Sequence, residues 1–377
     1  MVHDEHVREY LRLWLADGVG SVTFRRIVEK FGSVADAAAA SSHALQQVEG
    51  VGPKTADAIR AVSDEDIESE LAEADRVGAT IITDRSPQYP TALKNIYDYP
   101  AVLYALGRLD PTDALAIGLV GSRRCTHYGM EQAGRFGQLL ARAGFTVVSG
   151  GARGIDTAGH RGAISVQGRT VAVMGCGLSG MYPPENVPLF RQIVDGGHGA
   201  IVTELPMRTA VLPGNFPTRN RIISGMSLGV LVVEASRRSG SLITAREAAE
   251  QGREVFAIPG PVSSPLSQGA NDLIRGGAIL VQNLDDILEH LGQVGAKMAP
   301  EETPVPTIPP NLNPTESTLH ALLSKGPLSL DDLVRQSKLP SPAVTAAMTM
   351  LVLKSAVTQQ AGNMFTLKRP AAGGGSN

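Results

Sequence analysis

Phe145-Thr146-Val147-Val148-Ser149-Gly150-Gly151-Ala152-Arg153-Gly154-Ile155-Asp156 joins a short apolar run without polar alternation to a glycine-rich turn and then to a helical stretch. A strand buried on both faces reads this way, and a glycine turn opening a helix is the joint of a βαβ unit. Runs of the same kind recur at Ala114–Val120, Thr170–Met174, Ala200–Thr203, Gly229–Glu234 and Glu254–Ile258. Helical patterns fall between them at Tyr128–Ala143, Ile155–Val166, Asn186–Val194, Asn220–Ser227, Leu242–Gln251 and Asn271–Arg275. The expected fold class is α/β, a doubly wound Rossmann-like parallel sheet over residues 77–296.

Outward from that sheet the pattern changes on both sides. Residues 1–76 are helical in period, with Leu11, Leu15, Val22, Ile27 and Phe31 at mixed three- and four-residue spacing, and are expected to form a small domain resembling SAM or helix-hairpin-helix modules. Within it Val48-Glu49-Gly50-Val51-Gly52-Pro53-Lys54 has two open readings. It is a phosphate grip, with Gly50 and Gly52 exposing backbone N–H groups at a helix start and Lys54 as counter-charge, or a tight turn between packed helices. Prolines at 300, 304, 306, 309, 310 and 314 make residues 297–314 an expected extended linker. Residues 315–369 then show helical patterns at Leu319–Leu323, Ser329–Gln336 and Ser341–Leu353 and a hairpin from Ala356 to Leu367, the outline of a winged helix. The glycine-rich end, residues 370–377, reads as disordered.

At 377 residues the chain exceeds one hydrophobic core. Its first seventeen residues lack the basic-then-apolar layout of a signal peptide, and no run approaches the ~18 apolar residues of a membrane span. Two cysteines, Cys125 and Cys176, make neither a disulfide framework nor a zinc site and fit a cytoplasmic protein. A net charge of −3 excludes bulk electrostatic coating of duplex DNA, so any nucleic-acid site is a local patch.

Ligands of doubly wound sheets sit beyond the carboxyl ends of the strands. The loops there share a character: Gly121-Ser122-Arg123-Arg124, Gly150-Gly151-Ala152-Arg153-Gly154, Phe216-Pro217-Thr218-Arg219-Asn220-Arg221 and Ser239-Gly240-Ser241. Glycines admit close backbone approach, and N–H groups, helix N-termini and arginines bind anions, so the rim suits phosphate. Gly175-Cys176-Gly177-Leu178-Ser179-Gly180 has dinucleotide spacing, but it follows the third strand, and Pro183 and Pro184 stand where the phosphate-binding helix belongs. Catalytic constellations and metal-ligand spacings are not found: His160 reads as a surface or packing residue and Asp156 as a cap of the helix it opens. No cofactor and no metal is expected.

The string Val120-Gly121-Ser122-Arg123, Ser149 to Asp156, Phe216 to Ile223, Glu234-Ala235, Ser239 to Ala245 and Pro259-Gly260 closely resembles the bacterial DNA-processing protein A family, DprA or Smf, from about Gly78 to Leu291. That resemblance implies a non-enzymatic mediator of natural transformation. Such a protein binds single-stranded DNA, forms a homodimer through its Rossmann-like domain, loads the RecA recombinase, and works alongside single-strand-binding protein. It assigns the phosphate contact to Arg123 and base stacking to Phe216. Many members carry a lysine shortly before that aromatic, whereas Thr209 to Asn215 holds no basic residue. Either Arg208 substitutes, or the groove leans harder on Arg123, Arg219 and Arg221.

Two other classes stay in view. A nucleotide-processing enzyme of the lysine-decarboxylase-like type needs Pro-Gly-Gly-x-Gly-Thr, and Arg238 to Glu247 lacks it. A duplex-DNA regulator using the end domains needs a charged recognition helix, and Pro342 to Met350 is uncharged.

Overall fold

The computed structural model describes residues 5–292, 312–324, 326, 328–354, 356–360 and 364–367, in two compact units, residues 1–300 and 301–377. The first opens with helices α1 (Glu5–Trp14), α2 (Ser21–Phe31), α3 (Val34–Ala39), α4 (Ser42–Leu45), α5 (Pro53–Ala61) and α6 (Asp64–Val77). It continues through β1 (Thr80–Thr83), β2 (Val102–Gly107), β3 (Ala116–Val120), α7 (His127–Arg142), β4 (Thr146–Ser149), α8 (Ile155–Ile164), β5 (Thr170–Val173) and α9 (Val187–Asp195). It then runs through β6 (Gly199–Thr203), α10 (Asn215–Gly225), β7 (Gly229–Val232), α11 (Ser241–Glu250), β8 (Glu254–Ala257), α12 (Gln268–Arg275), β9 (Ile279–Leu280) and α13 (Asp285–Leu288).

Among the described residues nine strands form one sheet in the order β1-β2-β6-β5-β4-β3-β7-β8-β9. Every neighbouring pair from β6 to β9 is parallel, while β1 with β2 and β2 with β6 are antiparallel. The doubly wound sheet is therefore present, with an antiparallel edge added. The six runs singled out in the sequence are β3 to β8; β9, of two residues, is too short to make a pattern, and β1 and β2 are apolar runs that period alone does not assign. β3 starts at Ala116 because Pro111–Ala114 is a 3-10 turn capped by Asp110. Successive strands β3 to β6 build one way and β7 to β9 the other, which puts the switch point between β3 and β7.

Two corrections concern boundaries. Residues 1–76 do not have a core of their own: Tyr10, Leu11, Trp14, Phe24 and Ile27 belong to one apolar cluster with Tyr104, Met174, Phe190 and Ile201 of the sheet unit. Polar bonds seal the same seam, with Trp14 Nε1 donating to the Glu204 carbonyl at 2.9 Å and the Met207 amide to Glu70 Oε1 at 2.7 Å. The second correction is α10, which begins at Asn215 rather than Asn220, so Phe216 to Arg221 is helix rather than loop.

In the second unit α14 (Pro314–Leu323), α15 (Leu330–Ser337) and α16 (Ser341–Leu353) pack with strands β10 (Leu328–Ser329), β11 (Val357–Gln360) and β12 (Met364–Leu367), in sheet order β10-β12-β11. Leu319, Leu333, Val344, Leu351 and Phe365 fill its core. This is the expected winged helix. Pro314 starts a helix instead of ending a linker, as proline at a first helical position can; residues 297–311 of the expected linker and 370–377 of the tail lie outside the described residues. None of the described helices is long and apolar enough to cross a membrane.

Helices α7 and α8 set the rim's height through missing side chains. A Cβ on Gly137 would lie 2.4 Å from the Gly159 carbonyl oxygen, and one on Gly162 2.3 Å from that of Gly134. Backbones therefore touch directly, fixing the N-terminus of α8 over the sheet. Gly137→Ala is expected to lower stability by about 1–3 kcal/mol through overpacking, read as an earlier urea midpoint.

Candidate nucleic-acid interface

At the switch point a cleft of about 710 Å³ opens between the loops after β3, β4 and β7 and the first turn of α10. Its loops are held by short bonds. The Ser122 amide donates to the Glu234 carbonyl at 2.7 Å, and the Glu234 carboxylate receives the Thr126 amide and hydroxyl at 2.7 and 2.8 Å. Thr126 in turn caps α7 through the Gly129 amide. Gly154, at φ +74°, brings the two neighbouring loops together: a Cβ there would lie 2.4 Å from the Ser122 carbonyl oxygen. Gly121, Ser122 and Arg123 line this cleft and Gly150 and Arg153 a notch beside it, with Arg123 and Arg153 exposed, whereas Gly151 is buried against Phe190 and Met174.

Helices α8, α10 and α11 start here on Gly154, Gly214 and Gly240, and none has a side-chain cap. The positive ends of their dipoles face the cleft, although most of their first N–H groups are already bonded: Ile155 to the Ser122 carbonyl and Thr157 to that of Ala152 in α8, Asn215 to the Leu212 carbonyl in α10, and Ser241, Leu242 and Ile243 to Ser239 and Gly240 in α11. Ser239 and Ser241 share a hydroxyl bond of 2.8 Å at the start of α11, and Asn220 ties that start to α10 through the Gly240 carbonyl. Phe216, half-buried, stands across the cleft with the Arg123 guanidinium 4.9 Å from its ring centroid. Behind it, Tyr182 lies 6.2 Å from Phe216, ring to ring, and Arg153 packs over Tyr182 and pairs with Glu185.

The two arginines of α10 do not reach the rim surface. Arg219 is 4% exposed and donates to the carbonyls of Gly150 and Val173, so it forms the cleft's floor as a clamp between β4 and β5. Burial lowers its pKa to about 10, with Asp156 opposing. Arg221 is 6% exposed and bonds Glu204 at 2.7 and 2.9 Å, Asp98 at 2.7 Å and Ser21 at 3.1 Å. It is an interior cation, not a groove cation: helical φ/ψ from Asn215 turns positions 219 and 221 inward, toward acids remote in sequence. Arg208, the alternative to the missing lysine, is exposed, with its guanidinium on Glu73 and Ser69 of α6 at 2.9 and 2.8 Å.

Asp156 is structural in a different way from the one expected. It accepts the Gly150 and Ala152 amides at 3.1 and 3.2 Å, shaping the loop before its own helix, and burial pushes its carboxyl up. His160 is a core residue whose Nδ1 meets Thr170 Oγ1 at 2.6 Å while Thr170 donates to the Val147 carbonyl. That network places the neutral ring's proton on Nδ1, and Nε2 has no partner.

Gly50, Gly52 and Lys54 are exposed, and α5 starts on Gly52 with no side-chain cap, a geometry that suits a phosphate without assigning one. The exposed face of α16 carries Ala343, Thr345, Ala346, Thr349 and Met350, and no charge. Sequence reading missed Tyr182 and Glu185, because Tyr182-Pro183-Pro184-Glu185 registers only as a helix breaker. It also missed Glu234 as an anchor, although the residue stands in the motif string.

Comparison with known proteins follows the same lines. Residues 80–292 match the family described as DNA recombination-mediator protein A, residues 302–363 the DprA winged helix domain, and residues 12–65 a SAM-like helix-hairpin-helix tandem. The chain is 35% identical to Protein Smf of Synechocystis sp. over 389 residues, 93% of this chain and 97% of that one. It is 43% identical to DNA processing protein DprA of Bacillus subtilis over 215 residues, 57% of this chain and 72% of that one. The structure of DprA from Streptococcus pneumoniae matches with a TM-score of 0.64 and 32% identity over 75% of this chain and 97% of that one. DNA processing protein A from Helicobacter pylori, solved for its single-stranded DNA binding mode, matches at 0.50 and 27%, over 56% and 95%.

Two measurements separate interior from rim. Arg221→Ala is expected to cost about 3–5 kcal/mol by leaving Glu204 buried and unpaired, whereas Arg123→Ala changes stability by less than about 0.5 kcal/mol; urea unfolding reads both. His160, with its pKa lowered from 6.5 to about 3 by burial and by Arg219, binds its proton more readily unfolded than folded. Stability is therefore lost as pH falls from 6.5 toward 3, and relative to His160→Gln the unsubstituted protein is expected to lose about 2 kcal/mol between pH 7 and 5.

Proposed function

The chain belongs to the DNA recombination-mediator protein A family, and from that premise we propose that its rim binds single-stranded DNA without catalysing a reaction on it. The observation that carries this reading is Phe216 beside Arg123 in a cleft ringed by uncapped helix starts. A π-face stacks any base, and the guanidinium and backbone N–H groups take the phosphates, so grip does not depend on sequence. Gly121, Ser122, Gly150, Arg153, Asn220, Ser239, Gly240 and Ser241 complete the surface, with Gly151 shaping the loop from within and Arg219 beneath it supplying positive potential.

In this reading the protein is a cytoplasmic mediator of natural transformation that protects incoming strands and loads RecA onto them. It acts as a homodimer through the sheet unit, in exchange with single-strand-binding protein, and needs neither cofactor nor metal. The Gly50-Val51-Gly52 turn with Lys54 offers a second, weaker phosphate contact. The net charge of −3 fits a groove that draws its charge locally rather than from the whole surface.

Competition of single-stranded against duplex DNA across a salt series tests the proposal. Single strands are expected to win at every salt concentration. Arg123→Ala weakens binding and lowers the log–log salt slope by about 0.7, one phosphate contact; Phe216→Ala weakens it by about 1–3 kcal/mol with the slope unchanged. Wild-type binding by both variants overturns the groove, duplex preference favours a regulator, and release of free base from nucleoside monophosphates favours an enzyme.

A further inference from the structure

We propose that Tyr182 is a second base-stacking platform beside Phe216, and that Glu185 holds its companion cation, Arg153, in reserve until a strand phosphate displaces it. The inference rests on the single-strand reading of the cleft.

Four side chains stand in a row across the rim. The Arg123 guanidinium lies 4.9 Å from the Phe216 centroid, Phe216 lies 6.2 Å from Tyr182, and the Arg153 guanidinium lies 5.5 Å from the Tyr182 centroid. The pattern cation, ring, ring, cation repeats the pairing already assigned to the strand. Tyr182 lines both the main cleft and a notch beside it bounded by Gly150, Ala152, Arg153 and Pro183. The two rings are inclined at 60°, so they cannot sandwich one base between them. Each presents a platform of its own, and two bases of one strand are served.

Each ring face is covered in the free protein by the guanidinium that would serve a phosphate. An exposed cation–π contact is weaker than base stacking, so a strand exchanges the two: the base takes the ring and the guanidinium swings to the backbone. At Phe216 no ion pair or side-chain hydrogen bond among the described residues holds Arg123 against that swing. At Tyr182 Arg153 is also held by Glu185 through its Nε, and donates from Nη1 to the Tyr182 hydroxyl at 3.3 Å. Both partners of the ion pair are about half-exposed, 46% and 50%, so a phosphate can reach the guanidinium and compete with the carboxylate. Glu185 then lowers affinity at this end of the track and keeps the second cation from binding anions at random.

Anisotropy with labelled oligo(dT) over a salt series tests the exchange. Tyr182→Leu is expected to weaken binding roughly tenfold without moving the salt slope, and Tyr182→Phe to rescue most of that loss. Glu185→Gln is expected to tighten binding several-fold, and to lose this gain when Arg153→Ala is also present. Because Tyr182 also packs against the core, Tyr182→Trp gives a readout independent of folding energy. The single native tryptophan, Trp14, is buried, so an indole at 182 that is quenched by oligo(dT) supports the platform and an unquenched one overturns it. Tyr182→Leu binding like wild type, equal losses for Leu and Phe, or a Glu185→Gln gain that survives without Arg153 also overturns it. If Arg123→Ala and Phe216→Ala bind as wild type too, the single-strand reading fails with it; if those two weaken, only the present inference fails.

Discussion

Arg219 donates to the Gly150 and Val173 carbonyls while Asp156 receives the Gly150 and Ala152 amides, and both charged groups close on Gly150. A Cβ at Gly150 would lie 2.7 Å from an oxygen of Asp156 and from a nitrogen of Arg219. Opposite charges buried beneath a rim cost least where hydrogen bonds occupy them, and here the backbone takes up the Asp156 carboxylate and Arg219 Nη1, while Arg219 Nε has no partner. The loop between β4 and α8 has its shape because of that arrangement. The start of α8, the contact of Gly154 with Ser122 and the direction of Arg123 follow from it.

The same economy of charge separates interior from surface. Arg221 spends its donors on Glu204, Asp98 and Ser21, which joins α10 to α2 and to the end of β6. Trp14 and Glu70 cross the same seam, so the helical segment and the sheet form one body. At the rim Arg123 and Arg153 rest on aromatic rings, and Arg124 lies exposed beside Arg123 in the cleft. A guanidinium on a ring is held loosely enough to leave and near enough to need little reorganisation. That suits a protein whose overall charge repels a polyanion.

Uncapped helix starts serve the rim in the same manner. Helices α3, α4, α6, α14 and α15 close their first turns with Ser33, Ser41, Ser63, Asn313 and Ser329, whereas α2, α9, α12, α13 and α16 have no side-chain cap. Around the cleft the corresponding positions are Gly154, Gly214 and Gly240, which cap nothing. What distinguishes the cleft is that the positive dipole ends of three helices converge there. The α5 start on Gly52 has the same character at a second place on the first unit.

The sequence by itself determined the parallel sheet, the winged helix and the glycine loops, because non-alternating apolar runs and glycine spacing are local signals of burial and close approach. It did not determine which arginines face a ligand. Arg219 and Arg221 look identical to rim cations in a linear reading, and their inward turn depends on α10 starting at Asn215 and on Glu204, Asp98 and Asp156 arriving from other elements. The continuity of the first core across residue 77 and the approach of Tyr182 to Phe216 were likewise decided by packing. Local periodicity encodes which residues leave water; only the tertiary structure brings a buried charge its partner or sets one ring beside another.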